Sequence, residues 1–330
     1  MPVLMDKIVI LELQNAAGMK ARVLNYGATI SHLWLPDQKG NLYDVMLGYE
    51  NDEGYLQPDN PYFNCTIGRY ANRIANGQFE ANGQQIKLHI AGQRHCLHSG
   101  PMGFDKKFWE VIDLQKDAIT LCLVSPDNEG GFPGNLTTRV TYRLTDKNTL
   151  QIIYRNHCDA ACPVNLTFHG YFNLGGADIS QHHLMVTAAQ LLETDEALIP
   201  TGKILDVEQS AYDLRNGIIL AKLLNQGIML DHCYATGISG ENHLKARLKG
   251  SLFSMDVWSN MPGLQVYTGN GLHPDIRGVK YAGGYQAHAG ICLEAQFYPD
   301  APNHGHFPSP WLIPDQPRED VIEYRFTGID

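Results

Sequence analysis

Between residues 137 and 144 the chain reads TTRVTYRL, so Val140, Tyr142 and Leu144 fall on one face of an extended segment and Arg139, Thr141 and Arg143 on the other. A period of two marks a strand with one face buried and one face wet. The alternation returns at 251–258 (SLFSMDVW) and at 321–326 (VIEYRF), where Ile322, Tyr324 and Phe326 alternate with mostly charged neighbours. Runs such as NEGGFPGN (128–135) and YAGGYQAHAG (281–290) lie between such segments and have turn chemistry. Only ILAKLLNQ (218–225) has a helical pattern, with Asp213 or Asn216 as candidate cap and Gly227 beyond its end. The pattern predicts an all-β fold with long loops and few helices. No Pro/Ser-rich linker, charge block or fixed-period repeat divides the chain, so residues 1–330 are expected to form one large single-domain β-sandwich.

Composition narrows the function classes. A chain of 330 residues with 44% hydrophobic content can bury a large core. Its net charge of -10, without clustered Lys and Arg, argues against a phosphate-neutralising surface, so nucleic acid is not an expected partner. No window approaches the roughly 18 uninterrupted apolar residues of a spanning helix, and no membrane association is expected. The start, MPVLMDKIVILELQ, has an acidic residue where a basic region would stand and lacks a small-residue cleavage site. A cytoplasmic location follows as an expectation. The seven cysteines, Cys65, Cys96, Cys122, Cys158, Cys162, Cys233 and Cys292, are odd in number and sit mostly in apolar runs, as reduced buried side chains do. Asn-x-Thr triplets at Asn64, Asn135 and Asn165 then carry no weight as glycan acceptors.

Familiar chemical motifs are absent: there is no Walker loop, His-Glu-x-x-His, Gly-x-Ser-x-Gly or Cys-x-x-C. Cys158 and Cys162 lie near His157 but lack a second ligand pair with zinc spacing, and His304 and His306 stand in a Pro-rich tail without an evident acidic or thiolate ligand. No metal site is expected. What remains is a set of polar residues in apolar or glycine-rich surroundings, where an uncompensated polar group is costly. Glu294 follows the apolar run GICL and by alternation shares a face with Cys292. His169 lies in CPVNLTFHGYFNLGG, His98 in HCLHSG, Asp231 in MLDHCY and Arg73 in GRYANRIANGQF. Each has an ordinary explanation too: a strand-end carboxylate facing water, a satisfied structural histidine, a turn cap or a surface arginine. Periodicity alone cannot bring the five together.

The segments GRYANRIANGQF, CLHSGPMGFDKKFW, GGFPGNL, CPVNLTFHGYFNL, LDH, QVYTGN and CLEAQFYPDAPNH follow one another in the order found in aldose 1-epimerases, the galactose mutarotase family. NYGATISHLWLPD (25–37) resembles that family's opening strands, so the likeness covers nearly the whole chain. The resemblance implies a β-sandwich that interconverts the α and β anomers of free hexoses such as galactose and glucose, without cofactor or obligate protein partner. It implies Glu294 as catalytic base and His169 as catalytic acid, with His98 beside them. Asn72, Arg73, Tyr171 and Asp231 would hold the sugar hydroxyls. Three positions depart from the family pattern: Phe168 replaces Asn before the acid, Ser99 replaces Gly after His98, and Met261 stands where some relatives have a substrate-contacting Gln.

The residue types suit the reaction. Opening a cyclic hemiacetal needs O1 to lose a proton while the ring oxygen gains one, so a base and an acid must flank the sugar. A nearby negative charge from Glu294 or Asp231 would raise the imidazole pKa and keep it a donor at neutral pH. Tyr171, Phe172, Trp258 and Tyr267 are candidates for an apolar wall under the ring, as well as for plain core packing. Three rivals use the same residues: a non-catalytic sugar-binding sandwich, a glycoside hydrolase pairing Asp231 with Glu294, and an epimerase of phosphorylated hexoses using Arg69 and Arg73.

Overall fold

A computed structural model describes residues 7–237 and 240–329, and strands account for nearly all of its regular structure. The expected alternation at 137–144 belongs to the strand Leu136–Thr145, in which Val140, Tyr142 and Leu144 are fully buried while Arg139 and Arg143 face water. It sits in a nine-stranded antiparallel sheet, with Thr149–Cys158, Arg318–Gly328 and Phe253–Ser259 following in spatial order. The segment at 251–258 begins its strand two residues later than expected, at Phe253, because Gly250–Leu252 form the preceding turn.

A six-stranded sheet covers this one. Its order is Tyr171–Phe172, Ile291–Gln296, Gly263–Tyr267, Asp231–Ala235, Gln190–Thr194 and Pro200–Asp206. Residues directly opposite one another across antiparallel strands share a face. Leu264 pairs with Ala295 and Val266 with Leu293, and this apolar row faces the core. The layers meet where the Tyr324 hydroxyl donates to the Leu293 carbonyl at 2.9 Å and the Phe172 ring lies 4.9 Å from that of Tyr324. The chain is a β-sandwich.

The predicted helix is the element that the structure corrects. Within the segment only Ala221–Leu224 is helical, and Ile218–Ile219 instead form the last strand of the nine-stranded sheet, pairing with His183 and Leu184. Two consecutive β-branched residues suit an edge strand better than a helix start. Neither proposed cap acts as one, since Asp213 binds the backbone and guanidinium of Arg215 and the residue before the helix is Leu220. Among the described residues no helix is long and apolar enough to cross a membrane.

Candidate active site

The six-stranded sheet's other face carries the candidate site. Gln265 pairs with Glu294 on one side and Cys233 on the other, while Tyr267 pairs with Asp231 and Cys292, and Cys292 with Tyr171. Glu294 therefore shares a face with Cys292, as alternation predicted. From this face Tyr171, Asp231, Gln265, Tyr267 and Glu294 line a cavity of about 200 Å3, which holds all seven residues singled out from the sequence: Asn72, Arg73, His98, His169, Tyr171, Asp231 and Glu294. Two larger surface grooves, of about 520 and 650 Å3, contain none of them.

His169 enters from the end of the short strand Thr167–Phe168. Its backbone is fixed on both sides, by donation from its N–H to the Cys65 carbonyl and acceptance from the Asn64 N–H, each at 3.0 Å. Its Nε2 stands 3.9 Å from Glu294 Oε1, and its Nδ1 lies 3.5 Å from the Cys292 sulfur. The second oxygen of Glu294 is buried without a partner. Asn64 also accepts the Tyr171 N–H and donates to the Leu47 carbonyl, while Asn165 accepts from Phe297 N–H and donates to the Ala71 carbonyl. Both asparagines are fully buried, so their triplets serve the scaffold.

Asn72, Arg73 and His98 come from two loops that grip each other. The Asn72 N–H donates to His98 Nδ1 and the His98 N–H to the Asn72 carbonyl, both at 3.0 Å. Because Nδ1 accepts, a neutral His98 carries its proton on Nε2. Both residues adopt left-handed backbone, with φ of 67° at Asn72 and 51° at His98, the price of turning two short strands toward one cavity. Asp300, in the segment PDAPNH, accepts the Ala75 N–H and donates its own to the Arg73 carbonyl, anchoring the arginine's strand. Arg73 then reaches Asp231 at 3.9 Å.

Gln265 is the residue that sequence reasoning missed, although it opens the quoted segment QVYTGN. Its amide donates to Asp231 Oδ1 at 2.6 Å, and its own carbonyl oxygen is buried without a partner at the cavity. A Gln within GLQVY, between two hydrophobic residues in a strand, was the available signal. Tyr62, also missed, sets its ring 4.6 Å from His98 and 5.6 Å from His169. Of the four aromatics named for a wall, Tyr171 and Tyr267 line the cavity. Phe172 lies in the core, and Trp258 packs under the Arg325 guanidinium on the other sheet.

Burial dominates the electrostatics. It lowers His169 from its ordinary 6.5 to about 4, and it holds His98 well below that ordinary value too, with help from the charges of His169, Arg73 and Lys106. It holds Glu294 well above the carboxylate range, with the Asp231 charge adding to the effect. This overturns the expectation that neighbouring carboxylates raise the imidazole. Desolvation disfavours both charged forms, which favours the neutral pair with its one proton on the carboxyl. Moving that proton to His169 gives carboxylate and imidazolium without changing the pair's charge.

His169, Cys292 and Glu294 can each present a ligand atom within 4.8 Å of the others'. At the two metal patterns weighed from sequence, the geometry is poorer. His157 is exposed while Cys158 and Cys162 are buried. His304 does have an acidic neighbour, Asp300 at 3.3 Å, but the His306 ring nitrogen lies 2.8 Å from the Gly202 carbonyl.

The family model for aldose 1-epimerase matches residues 9–325. The chain belongs to the aldose 1-epimerase family. It is 39% identical over 316 residues to the galactose mutarotase of Bos taurus, covering 94% of this chain and 91% of that one. It is 35% identical over 338 aligned positions, gaps included, to the aldose 1-epimerase of Escherichia coli K12, covering 97% and 95%. Among solved structures, an aldose epimerase homologue from C. elegans superposes with a TM-score of 0.90 at 28% identity, covering 98% of this chain and all of that one. In this aldose 1-epimerase the three departures lie away from the cavity lining. Phe168 packs between Tyr142 and Tyr324, Met261 is buried in the core, and the Ser99 hydroxyl accepts the Tyr70 N–H at 2.8 Å.

Proposed function

We propose that this protein interconverts the α and β anomers of unphosphorylated aldohexoses, galactose and glucose among them, by acid/base ring opening and reclosure. The observation that carries the reading is the buried pair His169 and Glu294, 3.9 Å apart at the floor of a cavity rimmed by polar groups. Glu294 takes the O1 proton and His169 supplies one to the ring oxygen. Rotation about the C1–C2 bond presents the other aldehyde face, and the two residues exchange roles as the ring closes. The shared proton returns to its starting point, so the pair is restored without cofactor or metal. His98 donates from Nε2 toward the opening ring, and Asn72, Arg73 and Asp231 hold hydroxyls while Tyr171 walls one side.

The rivals fare worse on particular atoms. Asp231 is held by Gln265 and faces Arg73, which suits a hydroxyl-binding carboxylate more than the second catalytic acid of a glycoside hydrolase. Arg69 is buried and donates to the Ser125, Pro126 and Pro133 carbonyls, leaving it no role with a phosphate. A cavity of 200 Å3, below the roughly 300–1,000 Å3 of larger ligand sites, suits a single sugar ring. We place the enzyme in the cytoplasm, acting as one domain with no obligate partner. Polarimetry on freshly dissolved α-D-galactose and α-D-glucose, with chelator present, tests the proposal. Rates that rise in proportion to protein support it, and rates equal to spontaneous mutarotation refute it.

A further inference from the structure

Glu294 and His169 line the cavity, and Cys292, fully buried just behind them, completes a donor set that proton transfer to a sugar does not require. Cys292 and Glu294 alternate on one strand and project from the same face, and His169 lies beside both, with Nε2 3.9 Å from Glu294 Oε1 and Nδ1 3.5 Å from the Cys292 sulfur. The three can present a nitrogen, a sulfur and a carboxylate oxygen within 4.8 Å of one another. A zinc-class ion bonds such atoms at about 2.0–2.3 Å, so the three side chains share one ion once rotation draws their ligand atoms in from separations of up to 4.8 Å. One imidazole, one thiolate and one carboxylate, with a fourth position open to the cavity, is the ligand count of an accessible zinc site.

Two further observations point the same way. Glu294 Oε2 is buried without a hydrogen-bond partner although the residue is only 2% exposed. A divalent ion would also be neutralised locally. On binding, the Cys292 thiol and the Glu294 carboxyl give up their protons to solvent, and thiolate and carboxylate together balance two positive charges in a buried setting. Arg73, the nearest guanidinium of the rim, is already opposed by Asp231. The thiol ligand selects soft or borderline ions, zinc and cadmium, over magnesium or calcium.

We propose that His169, Cys292 and Glu294 form an inhibitory site for thiophilic divalent metals, zinc and cadmium, which shuts the enzyme by occupying its proton-transfer pair. The binding part stands on the geometry alone, while the inhibitory part rests on the functional reading above. Cys292 has no assigned part in the sugar chemistry, which makes it the residue that separates the two.

Cadmium titration of the metal-free protein, followed by the ultraviolet thiolate-to-cadmium absorption, reads the site directly. One cadmium per chain is expected, with the band lost in Cys292→Ser and retained in a Cys158→Ala/Cys162→Ala control. His169→Asn, which leaves every thiol in place, should weaken cadmium binding by about tenfold or more, and it serves if Cys292→Ser does not fold. In parallel, zinc should suppress anomer exchange and chelator restore it. Cys292→Ala, compared with its own metal-free rate, should need about ten times more zinc for the same suppression. An unchanged band in Cys292→Ser, or no band in the parent, overturns the site. A band that behaves as expected while zinc leaves exchange untouched overturns instead the roles given to His169 and Glu294.

Discussion

Gln265 stands directly opposite Glu294 across two antiparallel strands, and its side-chain amide donates to Asp231 at 2.6 Å. One side chain thus spans from the proposed base to the hydroxyl-binding rim. The sheet register sets this arrangement, because Cys233, Gln265 and Glu294 lie in one cross-strand row.

Replacing Gln265 with Leu keeps the approximate volume and removes both the donor to Asp231 and the unpartnered carbonyl oxygen facing the cavity. A hydrogen bond to a charged group contributes about 1.5–3 kcal/mol, so the KM for galactose should rise about tenfold or more. Turnover at saturation should change less, since the proton-transfer pair is intact. Steady-state polarimetry separates the two, and an unchanged KM would show that Gln265 acts on Glu294 alone or not at all.

The pH profile follows from the shared proton. Below about pH 4 His169 takes up a second proton while Glu294 is still protonated, and the pair has no base. At high pH the raised Glu294 carboxyl finally ionises while His169 is already neutral, and the pair has no acid. The working form, with one proton, lies between these two limits, and the apparent values belong to the pair. Plotted as kcat/KM, which reports the free enzyme, activity should hold from neutrality down toward pH 4. An acid limb near the ordinary imidazole value of 6.5 would mean that burial does not set His169.

Arg69 and Arg73 look alike in sequence and differ completely in place. Arg69 is buried and makes hydrogen bonds to three carbonyls and the Ser125 hydroxyl, whereas Arg73 opens onto the cavity. Arg69→Met should lower stability by roughly 2–6 kcal/mol, since it strips the two fully buried acceptors of Ser125, each costing about 1–3 kcal/mol when left unpaired. It should leave the preference between galactose and galactose 6-phosphate unchanged. Denaturant unfolding and paired rate measurements check both halves, and a selective loss of activity on the phosphorylated sugar would restore the phosphate reading.

Strand alternation was legible wherever one face meets water, as in Leu136–Thr145, because burial there repeats every second residue. Ile291–Gln296 is buried on both faces, so alternation could not tell core from cavity there; Glu294 stood out as a carboxylate after an apolar run, and the order of motifs gave it a role. The helix at 218–225 misled because its first residues answer to a distant strand at His183–Val186, a tertiary contact that local pattern does not encode. The same limit hid Gln265, whose partner Asp231 lies 34 residues away, and led Phe172 and Trp258 to be considered as cavity walls. The pKa directions were unreadable for a related reason: the neighbours' charges could be named from sequence, but the depth of burial that outweighs them could not.

The proposed ring opening depends on Glu294 and His169 moving protons between O1 and the ring oxygen. The most direct test is magnetisation exchange between the α and β anomeric resonances of galactose at equilibrium, with chelator present, comparing the parent with Glu294→Gln and His169→Asn. Each variant is close in size to the original and removes one proton-transfer group, so each should slow saturated exchange by at least about 100-fold while the fold persists by circular dichroism. Exchange at near-parental rates in either variant would contradict the assignment of that residue, and in both would remove the pair from the mechanism.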